Sequence, residues 1–317
     1  ANETQKEFYL KFPETFLDKL TDNRKDFNIK EDKCYRPISE IGDSIGVTDF
    51  EEKLEKCRHI VAEKFINRED GMYFNGPKYG ILHSDAFSRT VDKIESPILH
   101  IEVYKTDYFT HSVMGELVKQ LRKEDKLPDN LRLEDLNGAY NIFRTSMGLS
   151  LIVEIPETNQ IILTKRSKNS SYSEGENWIY PSITEAMSFT DKDDYENKID
   201  FELWAKRGLF EELGLDSSMY KKDSIKFYDM FFEKYFYQDN ITASIELKDG
   251  KTFKDVVELK GKDHYLELES IFVIDLDKKS ITEFIKKNKS SMRAQTLYTL
   301  QSYLERKHIK IDKTIWN

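Results

Sequence analysis

Between Gly148 and Arg166 the chain carries two apolar runs, GLSLIVEI and QIILTKR, with only PETN between them. Each run has strand length, and Pro, Thr and Asn supply turn chemistry, so this stretch predicts a β-hairpin. Further extended segments follow: KFYDMFFEKYFY, ITASIEL and LESIFVID read as strands by apolar content and length. Helical patterns are interleaved with them. From about Asp200 to Leu213, the residues Phe201, Ala205, Leu209 and Leu213 recur every fourth position as an apolar stripe, with Trp204 beside it. Gly214 then supplies a helix stop. ITEFIKKN and SMRAQTLYTLQSYLERKH give two more helical segments at the tail.

The earlier part of the chain has a different rhythm. From Asp49 to Phe65, an apolar face of Leu54, Cys57, Ile60, Val61 and Phe65 marks an amphipathic helix. YGILH and ILHIEVY (Ile98 to Tyr104) are strand-like, and a helix is expected from about Thr106 onward. The polar stretch DKLPDNLRLEDLNGAY, Asp125 to Tyr140, is the natural link between halves. The expected fold class is therefore α+β: an N-terminal α+β domain over 1–140 and a second domain over 141–317.

Composition narrows the function classes. With 38 % hydrophobic and 13 % aromatic residues, the 317-residue chain has material for a sizeable core. Its 58 acidic against 49 basic residues give a net charge of -9, the wrong sign for a general nucleic-acid binder. The two cysteines, Cys34 and Cys57, have no paired spacing and build neither a disulfide framework nor a zinc knuckle. The opening ANETQKEFYLKF lacks the apolar run of a signal peptide, and no stretch approaches the roughly 18 apolar residues of a membrane span. The expectation is a cytoplasmic protein with no membrane partner, its oligomeric state open.

The helix near residue 207 carries the chemistry. Arg207 and Glu211 are four apart, Glu212 is adjacent, and Gly208 lies three and four residues before the two glutamates, so all can share one side. Adjacent carboxylates suit a hard divalent cation, although Glu-Glu pairs also occur on ordinary solvated helix faces. Glycine in a helix interior costs about 1 kcal/mol relative to alanine. On propensity alone, Gly208→Glu should strengthen the helix slightly.

RGLFEELGL, Arg207 to Leu215, resembles the core of the Nudix box, G-x5-E-x7-R-E-U-x-E-E-x-G-U with U aliphatic. The surrounding order resembles that family too: a hairpin ending in Lys165 and Arg166, a tryptophan-proline segment with Trp178 and Pro181, the box, and a later strand HYLELESIFVID. The resemblance covers roughly residues 141–280 and implies a mixed-sheet α/β/α sandwich. Departures are equally plain. Gly208 replaces a metal-binding glutamate, Ser182 and Ile183 stand where the family has Gly-Gly, and the box's first glycine and glutamate positions are Asp193 and Ile199.

That resemblance implies a hydrolase of nucleoside diphosphates linked to a further group, with Mg²⁺ or Mn²⁺ as cofactor. Glu211 and Glu212 would hold the metal and Arg207 would orient them. Glu267 or Glu269 would be the late carboxylate; two apart on a strand, both face one side. Arg166, Trp178 and Glu185 would contact substrate, Glu185 also being placed to stand in for the carboxylate missing at 208. In the N-terminal half, Arg89, Asp107, Tyr108 and His111 are candidates for a ribose, a base or a partner protein, while His83, His100 and His111 lack short metal-ligand spacing. Three functions compete. The first is metal-dependent hydrolysis of a nucleotide. The second is a Nudix-fold nucleotide sensor that has lost chemistry, and the third a scaffold using KFYDMFFEKYFY as a surface.

Overall fold

The structure, a computed structural model, describes residues 38–67, 75–89, 95–166, 178–188, 190–191, 199–259, 261 and 268–316, without the side chains of 38–39, 86–89 and 95–100. Cys34, Glu267 and the opening segment lie outside the described residues. The chain divides into two units: 1–147 with 187–199 and 234–239, and 148–186 with 200–233 and 240–317.

In the first unit, α1 (Ile38–Ser44) and α2 (Phe50–Asn67) precede an antiparallel ladder of β1 (Pro77–Arg89) and β2 (Glu95–Asp107). Then come α3 (Tyr108–Lys123) and the short α4 (Leu133–Asn137). α3 begins at Tyr108 because Asp107 is extended and its carboxylate accepts the Thr110 N–H at 2.8 Å, an N-cap that fixes the start. Its buried stripe of Phe109, Val113, Leu117 and Leu121 packs on α2, which buries Leu54, Cys57, Val61 and Phe65. The Phe65 and Phe109 rings meet edge to face at 5.4 Å.

A buried charge organises this unit. Arg144 is 1 % exposed, and its guanidinium donates to both oxygens of Asp239, to Asn137 Oδ1 and to Ser84 Oγ, each at 2.8 Å. Its own carbonyl accepts the Ile81 N–H at 2.7 Å. A guanidinium survives burial only when its donors are met in this way, the bidentate carboxylate supplying the counter-charge.

The second unit is built on the expected hairpin. β3 (Met147–Ile155) and β4 (Gln160–Arg166) turn through Asn159, whose φ is 51°. They pair from Val153 to Ile155 and then diverge. Residues 179–186 enter the gap: β5 (Ile179–Tyr180) pairs with β4, and β6 (Ile183–Ala186) pairs with β3. Ser182 closes the fork, its hydroxyl accepting the Val153 N–H and donating to the Ile162 carbonyl, both at 2.6 Å.

Three more strands complete a seven-stranded sheet: β7 (Lys226–Glu233), β8 (Gln238–Glu246) and β9 (Leu268–Asp275). The path runs β5-β4-β3-β8-β7, and β9 lies antiparallel along β4. β8 follows β3 in the same direction. Gln295 ties Ser150 to Asn240 at one end, and Leu247 N–H donates to the Glu154 carbonyl at the other. The sheet is therefore mixed.

Helices lie on both faces. Ile152, Ile161 and Leu163 face the core formed with α7 (Lys278–Asn288) and α8 (Ala294–Arg306), which supply Ile281, Ile285, Leu300 and Tyr303. Alternation turns Leu151 and its partner Ile183 to the opposite face, where α5 (Phe201–Leu213) packs. The short α6 (Phe253–Glu258) follows β8. The fold class is α+β, with the second unit a helix–sheet–helix sandwich.

Removing one member of the buried pair should be costly. Asp239→Ala is expected to lower unfolding stability of the first unit by about 3–5 kcal/mol, because it leaves Arg144 buried without its counter-charge. Equilibrium urea denaturation of the full chain measures it, and a loss below about 1 kcal/mol would show that the node is incidental.

Candidate functional site

α5 is fixed at both ends. Asp200 Oδ1 accepts the Glu202 N–H at 2.7 Å and the Leu203 N–H at 3.3 Å. Gly214, at φ 71°, ends the helix in the left-handed conformation. Trp204, Ala205, Leu209 and Leu213 are buried, and Phe210 is exposed. This leaves Arg207, Gly208, Glu211 and Glu212 turned toward β6.

Gly208 is glycine because β6 runs directly over it. A Cβ there would meet Ile183 Cδ1 at 2.9 Å and Glu185 Cβ at 3.0 Å. The helix has given up a side chain so that a strand can approach. At the helix end, Gly261 makes a similar approach, where a Cβ would fall 2.4 Å from the Glu211 carbonyl oxygen.

The structure brings Arg207, Glu211, Glu212, Glu185 and Arg166 together. Arg207 Nη1 is 3.0 Å from both Glu211 Oε2 and Glu185 Oε1, and Nη2 donates to the Ala186 carbonyl at 2.7 Å. Two carboxylates thus share one guanidinium. Glu185 Oε1 also accepts the Ala186 N–H at 2.9 Å.

Glu212 is placed differently. It is 2 % exposed, and its Oε1 accepts the Thr184 N–H at 3.0 Å and the Arg166 Nη2 at 3.4 Å. Arg166 itself donates to the Thr184 hydroxyl at 2.6 Å and lies 5.3 Å from the Tyr180 ring centroid. Glu212 is therefore a strut between α5 and the strands.

The remaining candidates scatter. Trp178 is half-buried at the mouth of β5, its carbonyl accepting the Arg166 N–H at 3.1 Å. Glu269 is exposed and paired with Lys165 at 3.3 Å. Alternation places Lys165 toward the α7 side of the sheet, away from Arg166. Arg89 ends β1, where its side chain is outside the description. Asp107 is the cap of α3, and Lys78 sits 5.3 Å over the Tyr108 ring. His111 is buried with Nδ1 3.0 Å from Thr145 Oγ1; burial, then the Lys78 charge, push its pKa down to about 3. Such an imidazole stays neutral and belongs to the core. Among the described residues, no three His, Cys, Asp or Glu side chains gather as a metal site.

Sequence reasoning passed over Thr184 and noted Ile183 only as a departure from the family pattern. Both lie in a four-residue strand whose only local signal is ITEA. The interaction that gives them roles, the crossing of β6 over α5, is long-range.

No family model matches this chain, and no curated protein matches it. Among solved structures, the crystal structure of DR0079 from Deinococcus radiodurans aligns with 50 % of this chain and 83 % of its own at 11 % identity, with a TM-score of 0.34. Likeness at that level assigns neither fold nor function. Among the described residues, no helix is long and apolar enough to cross a membrane.

The close approach at Gly208 reverses the expectation from propensity. Gly208→Ala gains up to about 1 kcal/mol of helix propensity but forces an overpacked contact that costs about 1–3 kcal/mol. The expected outcome is a net loss of about 1 kcal/mol, partly restored by Ile183→Val, which removes the nearest atom. Chemical denaturation of the two variants decides it, and a more stable Gly208→Ala would contradict the packing account.

Proposed function

We propose that the second unit is a Nudix-type nucleotide-binding module that recognises a diphosphate-linked nucleotide without hydrolysing it. The observation that carries this reading is the engagement of its carboxylates by protein cations. Glu185 and Glu211 share Arg207, and Glu212 is buried against Thr184 and Arg166. The sequence resemblance supplies the ligand class, and the departures at Gly208, Ser182 and Ile183 fit the absence of chemistry.

The residues present do not fit the divalent ion that the resemblance implies. A hard cation wants several accessible carboxylate oxygens converging on one point. Here position 208 offers none, Glu212 is almost wholly buried, and a guanidinium lies between the two remaining groups. Arg207 neutralises the charge that a metal would otherwise neutralise. Trp178, half-buried beside the Arg166 backbone, offers a ring on which a base can stack.

One observation favours hydrolysis as a second reading. Glu185 stands over Gly208 and returns a carboxylate to the place where the helix lost one. Displacing Arg207 would free Glu185 and Glu211 together.

The experiment is a pair of measurements on ADP-ribose and a dinucleoside polyphosphate, each with Mg²⁺, with Mn²⁺ and with neither. Calorimetry should show binding that does not depend on the metal, and Trp178→Ala should weaken it at least fivefold, consistent with about 1–3 kcal/mol per stacked base. Product analysis should show no nucleoside monophosphate. Monophosphate release abolished by Glu211→Gln would overturn the sensor reading in favour of the hydrolase. Failure of every nucleotide to bind would overturn both.

A further inference from the structure

In the second unit, β9 lies at an edge of the seven-stranded sheet. Its neighbour is β4, and among the described residues no strand pairs with its other side. On such an edge, every second residue turns its N–H and C=O outward. Between that edge and α7 runs an open groove of about 820 Å³. Along β9, Ser270 stands opposite Lys165, Phe272 opposite Leu163 and Ile274 opposite Ile161. Ile161 and Leu163 face the core under α7, so alternation turns Ser270, Phe272 and Ile274 to the same side.

The chain reverses at Leu276 and Asp277, and α7 runs back along β9. Halfway along, the half-buried rings of Phe272 and Phe284 meet with centroids 5.8 Å apart. The groove changes charge across that contact. Toward the reversal it is lined by Asp275 and the exposed Glu283, and toward its far end by Lys165 and the exposed Lys287. We propose that this groove binds an extended peptide of a partner protein, added antiparallel to β9, with a basic, an apolar and an acidic residue at positions i, i+2 and i+4. The proposal is independent of the nucleotide reading.

Strand addition divides the work of recognition. Main-chain hydrogen bonds to the open edge give affinity, and pockets for alternate side chains give specificity. An antiparallel peptide passes Ile274 first, then Phe272, then Ser270, and its residues at those three positions all project toward α7. The first lies at the acidic end of the groove, the second over the Phe272 and Phe284 rings, and the third at the lysine end. Facing opposite charges favour this polarity, and facing like charges oppose its reverse. The same charge order selects the class of partner. A uniformly anionic one, such as a nucleic acid or an acidic membrane, would set its phosphates against Asp275 and Glu283 as well as the lysines. A peptide of mixed character meets each end with its complement.

The probe is a capped heptapeptide, Thr-Lys-Thr-Leu-Thr-Glu-Thr, titrated into the full isotopically labelled chain. Amide shifts should saturate and centre on residues 268–275 and 280–288, and fluorescence anisotropy of the labelled peptide gives the affinity. The reversed peptide, Thr-Glu-Thr-Leu-Thr-Lys-Thr, should bind at least tenfold more weakly. Lys287→Glu should weaken the first peptide at least tenfold and shift preference to Thr-Lys-Thr-Leu-Thr-Lys-Thr, a compensation that a damaged fold cannot produce. Glu211→Gln should leave all of these readouts as they are. Absence of saturable binding by the parent chain overturns the proposal, as do shifts centred elsewhere or equal affinity for the reversed peptide. Self-association that protects the β9 amides without peptide would give the edge to a second copy of the chain. Displacement of the peptide by an oligodeoxythymidylate, undiminished in the Lys287→Glu variant, would likewise contradict the assignment.

Discussion

Residues 179–186 cross from β4 to β3 through the fork that Ser182 closes, and the second unit depends on that crossing. One hydroxyl satisfies a donor and an acceptor on two strands that no longer reach each other. The crossing brings β6 over α5 closely enough that a Cβ at 208 would crowd Ile183 and Glu185. It also presents the Thr184 N–H to Glu212 and hangs Glu185 beside Arg207. The identity of residue 208, the burial of Glu212 and the sharing of Arg207 are consequences of one backbone path. An electrostatic result follows: Glu185 and Glu211, which would repel one another, share the fixed guanidinium of Arg207, and Glu212 lies against that of Arg166.

The first unit solves a comparable problem with the opposite sign. There a cation, Arg144, is buried, and Asp239, Asn137 and Ser84 are arranged around it. Both units use bidentate or shared guanidinium contacts, whose planar donors fix geometry as well as charge. The difference lies in exposure. Arg144 is sealed in and structural, whereas Arg207 and its two glutamates retain contact with solvent. Where the core-side node pins Ser84, the strand's outer face is left carrying His83 and Asp85.

Local signals were legible in the sequence wherever the cause is local. The hairpin at 148–166, the four-residue stripe of α5, its stop at Gly214 and the Arg207–Glu211 spacing all follow from residues near one another. The short strand β6 was not legible, because four half-polar residues carry no period of their own. Gly208 read as a helix defect, since its reason is a strand more than 20 positions upstream. The adjacent Glu211 and Glu212 read as equivalent, yet the structure separates them: one faces a shared arginine near solvent, the other is a buried strut.

The central claim is that protein cations, rather than a divalent ion, compensate the carboxylates of α5. Paramagnetic broadening tests it directly. In amide spectra of the isotopically labelled chain, stoichiometric Mn²⁺ should leave the signals of Thr184, Glu185 and Gly208 to Glu212 at full intensity. Selective loss of those signals, reversed by Mg²⁺ in excess, would place a metal among Glu185, Glu211 and Glu212 and contradict the account.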